Sequence, residues 1–237
     1  MALKTKVLIY LLVVLLLLAL GLVFILSGGT VLPSIGTSLF ASGIVGLLEL
    51  VYRRITGEDT TTVEAIIGSG LHAVYEQRSL DEYRSLVQSV SGQLDIAGYS
   101  LRSFLESFGQ ILVDRLGRNR SLRVRMLLVD PKSPNSQARE RLENHAPGTF
   151  SKSIENVHRT FDEVPNVEIR LLHADLTTMI FRLDRVMFVG PQFVSKSSRA
   201  TATLELRQTK HAWLFRDYEQ EFDAMWNSAV PSRTGEN

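Results

Sequence analysis

The side chains in this chain best suited to nucleophilic or general acid–base chemistry are five histidines, His72, His145, His158, His173 and His211, because there is no cysteine. Their spacing matters more than their number. None falls in the His-Glu-x-x-His pattern that puts two imidazoles on one face of a zinc-binding helix, and without cysteine there is no thiolate zinc site. The nucleophile elbow Gly-x-Ser-x-Gly, the phosphate-cradling P-loop and the dinucleotide-binding glycine pattern do not occur either. No metal and no cofactor is therefore expected, and each histidine reads first as a surface or capping residue.

His173 has a more suggestive setting. It ends the apolar run "VEIRLLH", with Asp175 just beyond. Two other apolar runs end in the same way: "LDIAGY" in Ser100 and Arg102, and "LRVRMLLV" in Asp130, Lys132 and Ser133. In layered α/β proteins ligands bind beyond the carboxyl ends of strands. Ser100, Arg102, Asp130, Lys132 and His173 therefore form a candidate pocket for a small anion, joined by Arg182 if the following hairpin folds over that edge. The plainer alternative has Arg102 paired with a helix carboxylate, Asp130 capping the helix near Pro134, and Lys132 solvated.

The elements that must position these residues follow from periodicity. Residues 58–91 read as helical, started by Thr60 to Thr62 and broken into two helices at Gly68 and Gly70. Strands are expected at "LDIAGYS", "LRVRMLLVDP", "VEIRLLH" and "ATATLELR", with "TTMIFR" and "VMFVG" forming a hairpin about Leu183-Asp184. Helices are expected from Ser103 to a C-cap at Gly117, from Pro134 to His145, from Phe150 to Phe161, and over "WLFRDYEQEFDAMWNSA". Alternating helices and strands closed by a hairpin indicate an α/β layered domain with a mixed sheet, spanning 57–230. The tail 231–237 reads as disordered.

Ahead of this domain, residues 1–56 read as a transmembrane helical hairpin with spans at about 7–27 and 31–52. Val7–Leu26 carries no charge, and at about 1.5 Å per residue it matches the roughly 30 Å hydrocarbon core. In the second span Ser38, Ser42 and Gly46 recur every fourth residue, a small-residue stripe suited to helix packing and to a homo-oligomer in lipid. Glu49 and Arg53 would pair at the interface. Lys4 and Lys6 precede the first span, and Arg53 and Arg54 follow the second. The positive-inside rule thus puts both termini in the cytoplasm, as in a multi-pass protein of a bacterial inner membrane.

Apart from Lys4, Lys6 and Glu49, all 26 basic and 25 acidic residues lie from Arg53 onward, where the two signs balance. That balance argues against a nucleic-acid partner. The cluster Arg115, Arg118, Arg120, Arg123 and Arg125 has no interleaved aromatics for base stacking; it reads as a solvated face or a contact for anionic lipid.

"LDIAGYSLRSF", "LRVRMLLVDPKS", "VEIRLLHADLTTMIFRLDRVMFVGP" and the aromatic "DYEQEFDAMWNSA" together resemble a phospholipase D-like domain over residues 64–229. Active members of that family carry His-x-Lys, four residues and Asp shortly before a Val-Gly. The histidine attacks phosphorus, the lysine stabilises the phosphoryl oxygens and the aspartate supports the site. Alignment on Val189-Gly190 puts Leu176, Thr178 and Leu183 at those positions, and Pro191-Gln192-Phe193 where Ser-x-Asn is usual. Shifting the register to use His173 puts Asp175 at the lysine position, where a carboxylate repels the phosphoryl group. The family also needs a second motif, and this chain has no internal repeat.

The resemblance thus implies a scaffold without the chemistry: a membrane-anchored, catalytically degenerate domain that senses a small anionic ligand or a protein partner. A membrane-disrupting effector is one version of this reading. The alternatives are a membrane-bound phosphodiesterase or phosphatidyltransferase using His173, and a structural adaptor without a ligand.

Overall fold

The computed structural model describes residues 3–27, 31–55, 60–78 and 80–232, which divide into two compact units, 1–63 and 64–237. The turn 28–30, the expected domain boundary at 56/57 and residues 233–237 of the tail lie outside the described residues.

In the first unit, α1 (Leu3–Leu26) packs against α2 (Val31–Ile55). Both are long and apolar enough to cross a membrane, with mean hydropathy 3.3 over Ile9–Leu26 and 1.7 over Val31–Tyr52. Close approach is made by glycines. A Cβ on Gly21 would sit 2.6 Å from the Phe40 backbone nitrogen, and one on Gly36 would sit 2.7 Å from that of Ile25. Gly46 also faces α1, against Val14. Ser38 and Ser42 do not take part in this contact. They are exposed, and their hydroxyls donate back to Ser34 O and Ser38 O of their own helix. The cause is the 3.6-residue turn: each four-residue step rotates the stripe by about 40°, so only its last member reaches the partner helix. Glu49 accepts a 2.8 Å hydrogen bond from the Tyr10 hydroxyl; the Arg53 side chain lies outside the described residues.

The second unit is the expected mixed sheet flanked by helices. Along the chain run α3 (Thr60–Ser69), which straddles the division at 63/64, β1 (Leu71–Tyr75), α4 (Leu80–Ser89), β2 (Gln93–Gly98), α5 (Arg102–Arg118), β3 (Arg123–Val129), α6 (Pro134–Leu142) and α7 (Thr149–Phe161). Then come β4 (Val167–Leu172), β5 (Thr178–Leu183), β6 (Val186–Pro191), a 3-10 turn at Ser198–Ala200, β7 (Thr203–Arg207), α8 (Trp213–Ser228) and β8 (Val230–Pro231). The sheet order is β1-β7-β6-β5-β2-β3-β4-β8, parallel only across β2, β3 and β4.

Strand alternation sorts the side chains to two faces. Leu94, Ile96, Val124, Met126, Leu128, Met179, Phe181 and Leu183 form one core with α4, α5 and α7. Ala97, Leu127, Val129, Ile180, Met187 and Val189 form the other, beneath Phe215, Phe222 and Trp226 of α8.

Three local expectations are corrected. The break in the first helical stretch is itself a strand, β1, paired antiparallel with β7. Gly70 allows the reversal, with φ +86° and a would-be Cβ 2.6 Å from Ala212. Helix α5 ends not at Gly117 but at Asn119, whose backbone N–H donates to Arg115 O. The tail is ordered through Ser232: Pro231 pairs with Arg170, and the Ser232 hydroxyl lies 2.6 Å from His158 Nε2.

Asp184 fixes how β2 joins the hairpin. It occupies the left-handed region at φ 52°, and its carboxylate accepts from the backbone N–H groups of Ser91, Gly92 and Gln93 at 2.7–2.8 Å. Burial alone would raise its pKa, but these three donors outweigh it and hold the carboxyl below its ordinary value. A depressed folded-state pKa means a stabilisation present above the unfolded pKa, near 3.8, and lost as pH falls through the folded one. Asp184→Ala is expected to cost about 2–3 kcal/mol at neutral pH. Urea unfolding across pH 2–7 should show the difference between wild type and variant shrinking toward the acid end.

Candidate functional site

The carboxyl ends of β2, β3 and β4 share one edge because the three strands are parallel. The polar residues expected there fall into two groups. Asp130 and His173 meet, with Oδ2 and Nδ1 3.1 Å apart, and Asp130 Oδ1 accepts from the Lys132 backbone N–H. Asp130 is thus not the helix cap; Ser133 is, its hydroxyl accepting from Ser136 N–H. His173 and Lys132 are exposed.

Ser100 and Arg102 belong to a separate cavity of about 340 Å³. Arg182 reaches neither group. Its register partner on β2 is Asp95, near the opposite end of that strand, and its guanidinium bonds Glu219 of α8 at 2.6 Å.

The cavity opens where β2 gives way to α5, on the sheet face covered by α4, α5 and α7. Phe104 and Phe108 of α5, Phe181 of β5, Phe150 of α7 and Tyr99 supply apolar lining. Leu101 takes the N-cap position of α5 at φ 51° and offers no side-chain cap. The first N–H groups of that helix therefore stand beside the cavity without a side-chain acceptor.

Three polar atoms of its lining residues are buried without a partner: Arg78 Nε, the Tyr83 hydroxyl and Gln192 Oε1. Among the described residues no hydrogen bond or ion pair reaches the Arg78 guanidinium. Burial is the main force pushing its pKa below the ordinary arginine value; Arg199 and Arg139 push the same way, against Tyr83 and Glu143. Burial also lifts the Tyr83 phenol to about 12.

The segment after β6 forms the rim of the cavity and is tied down by a buried pair. Arg139 bonds Glu143 at 2.8 Å and donates to the carbonyls of Phe193 and Lys196. Glu143 in turn accepts from Ser198 N–H. Arg199 donates to the Ser103 hydroxyl at 2.9 Å and stays 64% exposed, and the Arg78 N–H donates to Arg199 O. Arg102 is held by Glu106.

Sequence reasoning found Ser100 and Arg102 of this cavity and missed Arg78, Tyr83, Gln192 and Arg199. Arg78 and Tyr83 lie in a stretch read as helix, and the other two lie in a loop with no periodicity to read.

The positions that the phospholipase D resemblance makes catalytic are closed. Leu176 is 2% exposed in the α8-side core, and Leu183 is 3% exposed in the other. Beside Thr178 lie Asp217, Tyr218 and Glu221, so the local charge is acidic.

No protein-family model matches the chain, and no curated protein matches it. Among solved structures it is similar to TrmBL2, an archaeal chromatin protein whose structure shows a novel mode of DNA binding. The identity is 10% and the TM-score 0.45, covering 82% of this chain and 70% of that one. It is also similar to the phosphatidylserine synthase of Haemophilus influenzae, at 14% identity and TM-score 0.46, covering 67% of this chain and 38% of the synthase.

Arg139→Ala would leave Glu143 without its cation and the Phe193 and Lys196 carbonyls without their donor. The expected cost is about 3 kcal/mol. Hydrogen exchange should show the Ser198 amide losing protection well before those of β2.

Proposed function

We propose that this chain is a two-span protein of a bacterial inner membrane, both termini cytoplasmic, whose domain 57–230 is a non-catalytic phospholipase D-like module. The module binds a small anionic ligand or a protein partner and passes its occupancy to the helical hairpin. One observation carries the reading: the residues at the family's histidine and aspartate positions, Leu176 and Leu183, are buried apolar core residues. A side chain fixed in a dry core can neither attack phosphorus nor move a proton. The flanking charges Lys4, Lys6, Arg53 and Arg54 support the orientation. The exposed Ser38 and Ser42 leave that face of α2 open to a second copy in the membrane.

A second reading keeps one specific support. His173 is exposed and hydrogen-bonded to Asp130, the pairing that orients an imidazole for proton transfer. That reading is a phosphodiesterase or phosphatidyltransferase with His173 as its nucleophile.

Purified full-length protein assayed against phosphodiester substrates separates the two. No turnover is expected, and His173→Ala is expected to leave any cellular effect unchanged. A loss of more than about 100-fold with folding intact would establish the enzyme. A reporter fused after Asn237 should behave as cytoplasmic, and a fragment beginning at residue 57 should be soluble and cooperatively folded. Periplasmic reporter activity would overturn the orientation, and an aggregating fragment would overturn the boundary.

A further inference from the structure

Deepening the ligand-binding reading above, we infer that the cavity at the start of α5 takes a small organic phosphate. Its phosphoryl group lies between Arg78, Arg199 and the uncapped N-terminus of α5, and its apolar or aromatic body lies against Phe104, Phe150 and Tyr99.

Arg78 starts the case. The residue is half-buried, but its Nε is cut off from water with no acceptor, which is costly, and native folds rarely keep such a group without a use. Here it sits on the wall of a cavity also lined by the first residues of α5 and by Arg199. The backbone bond from Arg78 N–H to Arg199 O holds the two segments side by side. Among the described residues the Arg199 guanidinium is bound to a serine hydroxyl and, at 3.9 Å, to Glu106, so it can turn inward. The carboxylate in the lining, Glu143, is already engaged by Arg139 and Ser198 N–H, so its charge is offset. Arg102, offset by Glu106, adds no charge of its own.

Two guanidinium groups and a helix N-terminus offer more donors than a carboxylate can use, and they match the three oxygens and the −1 to −2 charge of a phosphate. The volume exceeds that of bare phosphate and lies within the range of small-molecule sites, roughly 300–1,000 Å³. The remaining space is lined by aromatic rings, with Tyr99 and Phe150 centroids 6.1 Å apart and Phe104 and Phe181 centroids 5.5 Å apart. Most of its lining, Phe104, Phe108, Met179 and Phe181, belongs to the sheet face covered by α4, α5 and α7, which also holds Leu183; Leu176 lies on the α8 side, where the Tyr99 hydroxyl donates to its carbonyl at 3.4 Å.

The test uses the full chain in detergent micelles, titrated with phenyl phosphate, inorganic phosphate and phenol. Phenyl phosphate should bind tighter than inorganic phosphate and raise the apparent Tm, and phenol should do neither. Arg78→Gln should weaken phenyl phosphate at least about tenfold, the effect of losing charge-assisted hydrogen bonds. The same variant should raise the Tm of the unliganded protein, because it removes a cation whose Nε is cut off from water without an acceptor; an arginine that merely props up the fold would lower it. Arg199→Gln should weaken binding with little change in Tm, and His173→Ala should change neither.

In phosphatidylcholine bilayers with and without phosphatidic acid, an Arg78-dependent rise in Tm with the acidic lipid would identify a lipid phosphate as the source. A rise with phenyl phosphate alone would identify a soluble one. Wild-type affinity in both arginine variants, or no response of the wild type to phenyl phosphate, overturns the site. Phosphorus NMR keeps the two readings apart: hydrolysis that survives both arginine variants refutes the non-catalytic function while binding still decides the cavity.

Discussion

Asp95 sets the arrangement on which the rest of this domain depends. It sits mid-sheet on β2 at 2% exposure, with Arg125 beside it on β3 and Arg182 beside it on β5. Arg125 grips it with Nε and Nη2 at 2.7 and 2.9 Å, then reaches Asp223 of α8 with its remaining nitrogen; Arg182 reaches Glu219. Asp95 and Asp223 hold the Arg125 guanidinium above its ordinary pKa despite burial. The same guanidinium lies over the rings of Phe222 and Trp226, 4.8 and 5.5 Å from their centroids. One buried carboxylate therefore organises two strands and the docking of α8. Removing it would leave Arg125 and Arg182 with only Asp223 and Glu219 of α8 to offset them, and would unfasten both strands from that shared carboxylate.

That docking makes the two sheet faces unequal. With α8 clamped down, its aromatic residues seal the face on which Leu176 and Thr178 project, and Leu176 becomes part of a packed core. The opposite face is covered by three helices, and it stays open where the uncapped start of α5 meets the segment after β6. The cavity thus lies mainly on the face away from Leu176 and Thr178, the face whose core also holds Leu183.

Most strands and both core faces were legible in the sequence, because alternation along "LDIAG" and "LRVRMLLV" directly records which side chains are covered. The small-residue stripe Ser38, Ser42 and Gly46 was legible only in part, since four-residue spacing does not hold one face over two turns. β1 was not legible: five residues between a glycine and a polar helix carry too little periodicity to outweigh the helical signal on either side. The arginine cluster misled in another way. Arg125 pairs with Asp95, and Arg115 donates to Val90 O, so two of its members are committed to the fold rather than solvated. The cavity was half visible. Ser100 and Arg102 follow an apolar strand, whereas Arg78 and Arg199 come from segments brought together only by the pairing of β1 with β7.

Asp95, fully buried, and Arg78, half-buried with its Nε cut off from water, are treated differently in one molecule. For Asp95 the fold supplies two arginines on adjacent strands, and each of those is offset again by a carboxylate of α8. For Arg78 no acceptor stands among the described residues; another arginine's backbone lies alongside, and the start of α5 and aromatic surface line the same cavity. A fold that neutralises one buried charge so completely has the means to neutralise another, and Glu143 is close enough to influence Arg78 but is spent on Arg139. Unmet charge beside an enclosed volume is the signature of a site finished by what binds there.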